Sequence, residues 1–136
     1  MTIVNYKVGS YIRLSRDESY SKSDSIDNQI KMTDFYCEEN KLEVIDKYID
    51  NGYSGTTFDR PAFKQLLKDI DDGLINTIVV KDLSRLGRNY IMVGHYLQHY
   101  FPTKKVRFIS INDEYDSLKH NNIMDRLDVP LKNMMY

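Results

Sequence analysis

The segment TIVV, residues 77–80, constrains the fold more than any other stretch of the chain. It is too short and too apolar for anything but a central strand covered on both faces. Three further segments read as strands: VGSYIRL (8–14), LEVIDKYI (42–49) and KVRFISI (105–111). In the first, Val8, Ile12 and Leu14 alternate against Gly9 and Arg13. Helical spacing fills the gaps between strands. Ser25 is placed to cap a helix running to about Asn40, with Ile26, Ile30, Thr33 and Cys37 along it. Asp59 and Pro61 predict a second helix start, Asp59 satisfying the orphan amides. Phe63, Leu66, Leu67 and Ile70 form that helix's apolar stripe, and Gly73 ends it. From Ser84 to about Phe101, Leu86, Tyr90, Val93, Leu97 and Phe101 predict a third.

Strands alternating with helices imply an α/β fold, with a mainly parallel central sheet of four or five strands and helices on both faces. Ligands of such sheets sit beyond the carboxyl ends of the strands. Arg13 and Ser15, the stretch Lys81–Arg88, and Asn112–Asp116 all fall there.

A length of 136 residues suits one domain. A single cysteine, Cys37, excludes an internal disulfide framework and suggests a reducing cytoplasm; its expected place is the apolar side of a helix. No apolar run has bilayer length, and the N-terminus has no signal-peptide core. Net charge of −1 argues against a chain that coats nucleic acid, yet allows one focused phosphate site.

Three groups of residues could carry chemistry. Tyr11-x-Arg13-x-Ser15 puts three side chains on one face of a strand, an arginine beside a hydroxyl. On these three residues alone, Arg13 reads rather as an arginine at the end of its strand in a surface ion pair, with Ser15 opening a turn. KDLSRLGR (81–88) sets Arg85 and Arg88 on one face of a predicted helix start. Basic residues there oppose the helix dipole, at a cost of about 0.3–1 kcal/mol each, which favours anion binding over a plain solvated turn. Arg60, beside Pro61, reads by itself as an ion-pair partner of Asp59, and Gln29 as a surface amide. His95, His99 and His120 lack the partners of a hydrolase or zinc site, and neither a P-loop nor GxGxxG is present.

Taken together, YIRLS, SIDNQ, YSGTTFDRPAF and KDLSRLGRN closely resemble the catalytic domain of serine site-specific recombinases, the resolvase/invertase family, especially its large transposon-type members. The resemblance runs from about Val8 through nearly the whole chain. It implies that Ser15 attacks a DNA phosphodiester to give a 5′-phosphoserine link, with Arg13, Arg85 and Arg88 around the phosphate. Tyr11, Gln29, Arg60 and Ser84 would support the site. Ser84 stands where small resolvases carry an aspartate, so no acid/base role of that carboxylate transfers. No metal or cofactor is implied. The expected partners are DNA and further copies of the full-length chain, in the cytoplasm and away from membranes. Residues 1–118 would form the catalytic domain. Residues 119–136 would form a loop and the start of a truncated interface helix, beginning near Asp128 and Pro130. A non-catalytic phosphate- or nucleic-acid-binding module on the same scaffold and a structural assembly domain are the competing classes. The loops 15–25 and 50–60 are expected to be loosely held, because unliganded arginines repel one another.

Overall fold

In the computed structural model, which describes residues 5–16, 22–120 and 122–135, five strands form one sheet. They are β1 (Lys7–Leu14), β2 (Glu43–Asn51), β3 (Thr77–Val80), β4 (Arg107–Ser110) and β5 (Tyr115–Asp116), in the order β2-β1-β3-β4-β5. The first four are parallel, and only β5 runs antiparallel, against β4. All four residues of TIVV are buried, as expected of a strand with neighbours on both sides and helices above and below.

Helix α1 (Ile26–Glu39) covers one face, where Cys37 packs with Val8, Val79 and Ile109. Ser25 caps it through a 3.2 Å bond from the Asn28 amide. The other face carries the larger core, including Tyr11, Phe63, Leu66, Ile78, Val80 and Phe108. It is covered by α2 (Pro61–Asp71), by the segments that follow β3, and by α6 (Met124–Asn133), which sends Leu127 and Leu131 into the core. Gly73 ends α2 with φ +76°, a left-handed conformation that glycine adopts without steric cost.

A bulge in β2 sets which side chains face α2. Val8 pairs with Val44 but Gly9 pairs with Asp46, so Ile45 is an extra residue. One inserted residue reverses the alternation of faces. Val44 therefore packs on the α1 side while Tyr48, of the same parity, joins the larger core.

The single predicted helix over 84–101 is several pieces. After α3 (Leu83–Leu86) the chain extends through Gly87, and α4 (Tyr90–His95) leads through a π-helical turn at Tyr96–Tyr100 into α5 (Phe101–Thr103). Tyr90, assigned to the apolar stripe, is exposed. The last helix also differs from expectation: α6 begins at Met124, and Pro130 lies inside it. Among the described residues, no helix is long and apolar enough to cross a membrane.

Arg107 fastens the sheet's far edge. Its Nε and Nη2 donate to the two oxygens of Asp116 at 2.9 and 2.6 Å. Burial pushes the Asp116 carboxyl up, but these bonds and the Leu118 amide outweigh burial and hold it below the usual range. A carboxyl depressed on folding contributes stability above its unfolded pKa of about 3.9, and the contribution disappears as pH falls through the folded value. Asp116→Asn is expected to cost about 1.5–3 kcal/mol at pH 7, with the difference closing in acid. Urea unfolding from pH 7 to pH 3 measures this; a gap of constant size would show that the charge does not hold β5.

Candidate active site

Strand order reverses between β1 and β3, and the crevice beyond their carboxyl ends is where doubly wound sheets bind ligands. Ser15 leaves β1 at this crevice, half-buried, and the stretch Lys81–Arg88 leaves β3 beside it.

The two segments are locked reciprocally. Arg13 donates from Nε to the Arg85 carbonyl at 3.2 Å and from Nη2 to the Ser84 carbonyl at 2.6 Å, while Arg85 Nη1 donates to the Arg13 carbonyl at 2.8 Å. Arg13 Nη1 also reaches the Tyr53 carbonyl at 3.0 Å. Arg13 therefore stands near the end of its strand as expected, but it is fully buried and not in a surface ion pair. Planar guanidiniums suit this task, because their donors fork towards several carbonyls at once.

The basic turn is built from carboxylate caps. Asp82 accepts from the Ser84 amide at 3.0 Å and from the Ser84 hydroxyl, and Asp113, beyond β4, accepts from the Leu83 amide at 2.8 Å. Arg85 is buried, with Nη2 3.1 Å from Ser84 Oγ and Nε 3.6 Å from Asp82. Because the helix stops at Gly87, Arg85 and Arg88 do not share a helical face, contrary to the sequence expectation. A four-residue helix whose first amides already meet carboxylates offers no dipole-based anion site either. Arg88 instead lies exposed, its amide donating to the Gly55 carbonyl at 2.7 Å. A Cβ placed on Gly55 would fall 2.8 Å from Arg13 Nη2 and 2.9 Å from Arg88 Cγ, so both arginines border one point. Arg88 also lines a cleft of about 930 Å³ with Asp82, Ser84 and α6.

Behind this front lies a buried relay. Tyr11 donates its hydroxyl to Asp50 Oδ2 at 2.7 Å and accepts from Arg60 Nη1 at 2.7 Å. Asp50 also accepts the Ala62 and Phe63 amides at 2.9 and 3.0 Å, capping α2 from a neighbouring strand. The expected cap was Asp59, but Asp59 pairs with Lys64 on the surface. Arg60 is not the ion-pair partner of Asp59 either. It is fully buried, donates to the Thr57 and Leu86 carbonyls at 2.7 Å, and sits 4.5 Å from the ring centre of Phe58 and 5.3 Å from that of Phe63. Burial, with the bond to Asp50 and its charge, raises the Tyr11 phenol well above its ordinary value despite the opposing pull of Arg60. Tyr11 thus stays a neutral phenol, a hydrogen-bonding support and not a phenolate.

Loop 50–60 is tied down through Tyr53, Gly55 and Thr57 and by the Gly52 amide on the Leu14 carbonyl at 2.6 Å. The repulsion expected to loosen it is relieved by carbonyl acceptors. Residues 17–21 of the other loop expected to move, 15–25, lie outside the described residues.

Gln29, read as surface decoration, is fully buried. Its amide accepts from the Arg13 amide at 3.3 Å and donates to the carbonyls of Arg13 and Asp24 at 3.0 and 2.7 Å. A signal was present: Gln29, Thr33 and Cys37 lie four apart, and these three form the buried stripe of α1. The sequence places Asn112–Asp116 at this edge, but nothing local distinguishes the capping roles of Asp50 and Asp113 from those of surface acids.

This arrangement can present a hydroxyl and an exposed arginine at one sheet edge, backed by buried cations that fix the main chain. The same architecture recurs in known proteins. The family described as "Resolvase, N terminal domain" matches residues 8–134. The crystal structure of the N-terminal catalytic domain of TP901-1 integrase is 31% identical, with a TM-score of 0.75 over 95% of this chain and 91% of that one. A resolvase family site-specific recombinase from Streptococcus pneumoniae is 27% identical, with a TM-score of 0.73 over 94% and 87%. A Bacillus subtilis (strain 168) protein named "Putative DNA recombinase" is 31% identical over 111 residues, which make up 79% of this chain but only 21% of that relative. On both the matched sequence and the shared fold, the chain belongs to the resolvase family of serine recombinases, as an N-terminal domain of that family.

Proposed function

We propose that this chain is the catalytic domain of a site-specific DNA recombinase and that Ser15 is its nucleophile. The Ser15 Oγ–phosphorus bond forms as the bond from phosphorus to the 3′ oxygen breaks. The serine proton is lost, and the departing oxygen takes up a proton to become a 3′-hydroxyl. Rejoining runs the same exchange in reverse after the strands have moved, so the bond energy is kept in the 5′-phosphoserine link. Arg88 meets the phosphate from the exposed side. Arg13 and Arg85 supply positive charge from beneath and hold the two segments in register. Ser84 belongs to the same turn, and Tyr11, Gln29 and Arg60 are positioning residues. Phosphoryl transfer needs alignment and charge stabilisation above all, and guanidiniums provide both.

The observation that carries this reading is the direct bonding of Arg13, two residues before Ser15, to the main chain of Ser84 and Arg85. That bonding supports reading the hydroxyl and the basic turn as one site. DNA is the proposed partner. Residues 1–118 are proposed as the main body of the catalytic unit, which α6 closes by burying Leu127 and Leu131, and copies of the full-length protein are proposed to associate at a cytoplasmic DNA target. The test is a nicked suicide DNA substrate that lets the fragment bearing the new 3′-hydroxyl diffuse away. The expected product is a protein–DNA adduct whose phosphodiester maps to Ser15 by peptide mass. An adduct that survives in Ser15→Ala would end the proposal. Arginine-dependent DNA binding with no adduct would favour a non-catalytic phosphate-binding module.

A further inference from the structure

Lys81 opens the basic turn but does not belong to the phosphate site. Val79 and Lys81 alternate onto the α1 side of β3, whereas Ile78 and Val80 join the opposite core. Arg13 extends from that opposite side of the sheet, two residues beyond Tyr11. Lys81 is 5% exposed, and its ammonium donates to the Ser23 carbonyl at 2.8 Å and to the Asp24 carboxylate. A buried lysine is costly unless paired and hydrogen-bonded, so its presence here needs a reason.

The bonds of Ser23 and Asp24 supply one. The chain leaves β1 after Leu14, passes Ser15, and returns to α1 through Ser23 and Asp24. Gln29 holds both ends, binding the main chain of Arg13 on departure and the Asp24 carbonyl on return. Lys81 fixes the return end to β3, and its own carbonyl accepts the Asn112 amide at 2.8 Å, anchoring it to the chain beyond β4. A continuous path therefore runs from the rigid sheet through Lys81, Asp24 and Gln29 to the residue two before Ser15.

We infer that Lys81 and Asp24 form a latch that positions Ser15 for attack, acting through the return end of its loop. This rests on the reading of Ser15 as nucleophile. Lys81 touches no substrate; it is a positioning residue, and its loss lets the loop ends drift. Displacements of about 1 Å at a reacting atom can cost as much as about 10²-fold in rate.

The test is single-turnover adduct formation on the nicked suicide substrate by the full-length protein, comparing wild type with Lys81→Met, Asp24→Asn and the double variant. Met keeps much of the lysine stem's volume and removes only the donor. The expected result is a rate constant about 10–100-fold lower in each single variant, with DNA affinity and burst amplitude preserved. The double variant should be no slower than either single one, because both remove the same contact. Amide exchange of residues 22–25 should quicken in Lys81→Met, a readout independent of DNA. A reduced amplitude at an unchanged rate constant would mean that Lys81 only helps the domain fold, and would overturn the latch. So would unchanged rate and exchange. If wild type itself forms no adduct on Ser15, the nucleophile assignment fails first, and quickened exchange would then report only a structural tie.

Discussion

Arg88→Ala is expected to slow adduct formation about 10²–10³-fold, the usual loss when one well-aimed donor to a developing charge is removed, while unfolding stability stays within about 0.5 kcal/mol. The separation of the two effects follows from where this arginine sits. Its amide carries the tie to the Gly55 carbonyl, and alanine keeps that amide. Its side chain is exposed and lines the cleft at the crevice. Arg13, Arg60 and Arg85 differ: each is buried and bonds main-chain carbonyls that define the site. Replacing any of those would lower activity through the architecture as well as through charge. Arg88→Lys should recover only part of the rate, since an ammonium keeps the charge but loses the planar fork. Single-turnover rates and urea midpoints measured side by side decide the matter. A wild-type rate in Arg88→Ala would remove this residue from the phosphate site.

The contrast among the arginines marks where the sequence could be read and where it could not. Period and length alone placed four strands and the first two helices, because each is a local consequence of alternation and capping. The two-residue β5 has no periodicity to detect. The break at Gly87 escaped because Leu86, Val93, Leu97 and Phe101 keep a helical spacing on both sides of it, and all four are indeed buried. Burial is likewise not a local property for charged residues. Arg13 and Arg60 look like surface groups until the carbonyls of Ser84, Arg85 and Leu86 are brought to them from elsewhere in the chain. Only family resemblance assembled these residues in advance. It could not distinguish the exposed Arg88 from the buried Arg13, Arg60 and Arg85.

Asp50 is the strongest case of a residue whose importance exists only in three dimensions, and Asp50→Ala is expected to destabilise the domain by about 3–5 kcal/mol. Its carboxylate, 1% exposed, closes three bonds: the Tyr11 hydroxyl and the first free amides of α2 at Ala62 and Phe63. Alanine would leave those donors unpartnered in the core. It would also remove the negative end of a relay whose positive end, Arg60, is fully buried and held by a phenol, two carbonyls and aromatic rings. Taking one charge from such a buried set costs more than the pair contributes, because the survivor loses its compensation without regaining water. Asp50→Asn should fall between, keeping an acceptor oxygen but losing the charge. The bulge at Ile45 makes this possible. Without the extra residue, Asp50 would turn to the α1 face, and α2 would begin uncapped. Deleting Ile45 should therefore cost at least as much as Asp50→Ala, although Ile45 itself is 42% exposed. Denaturant midpoints at constant m-value test both, and a loss below about 1 kcal/mol for Asp50→Ala would mean that the relay is solvated or dispensable.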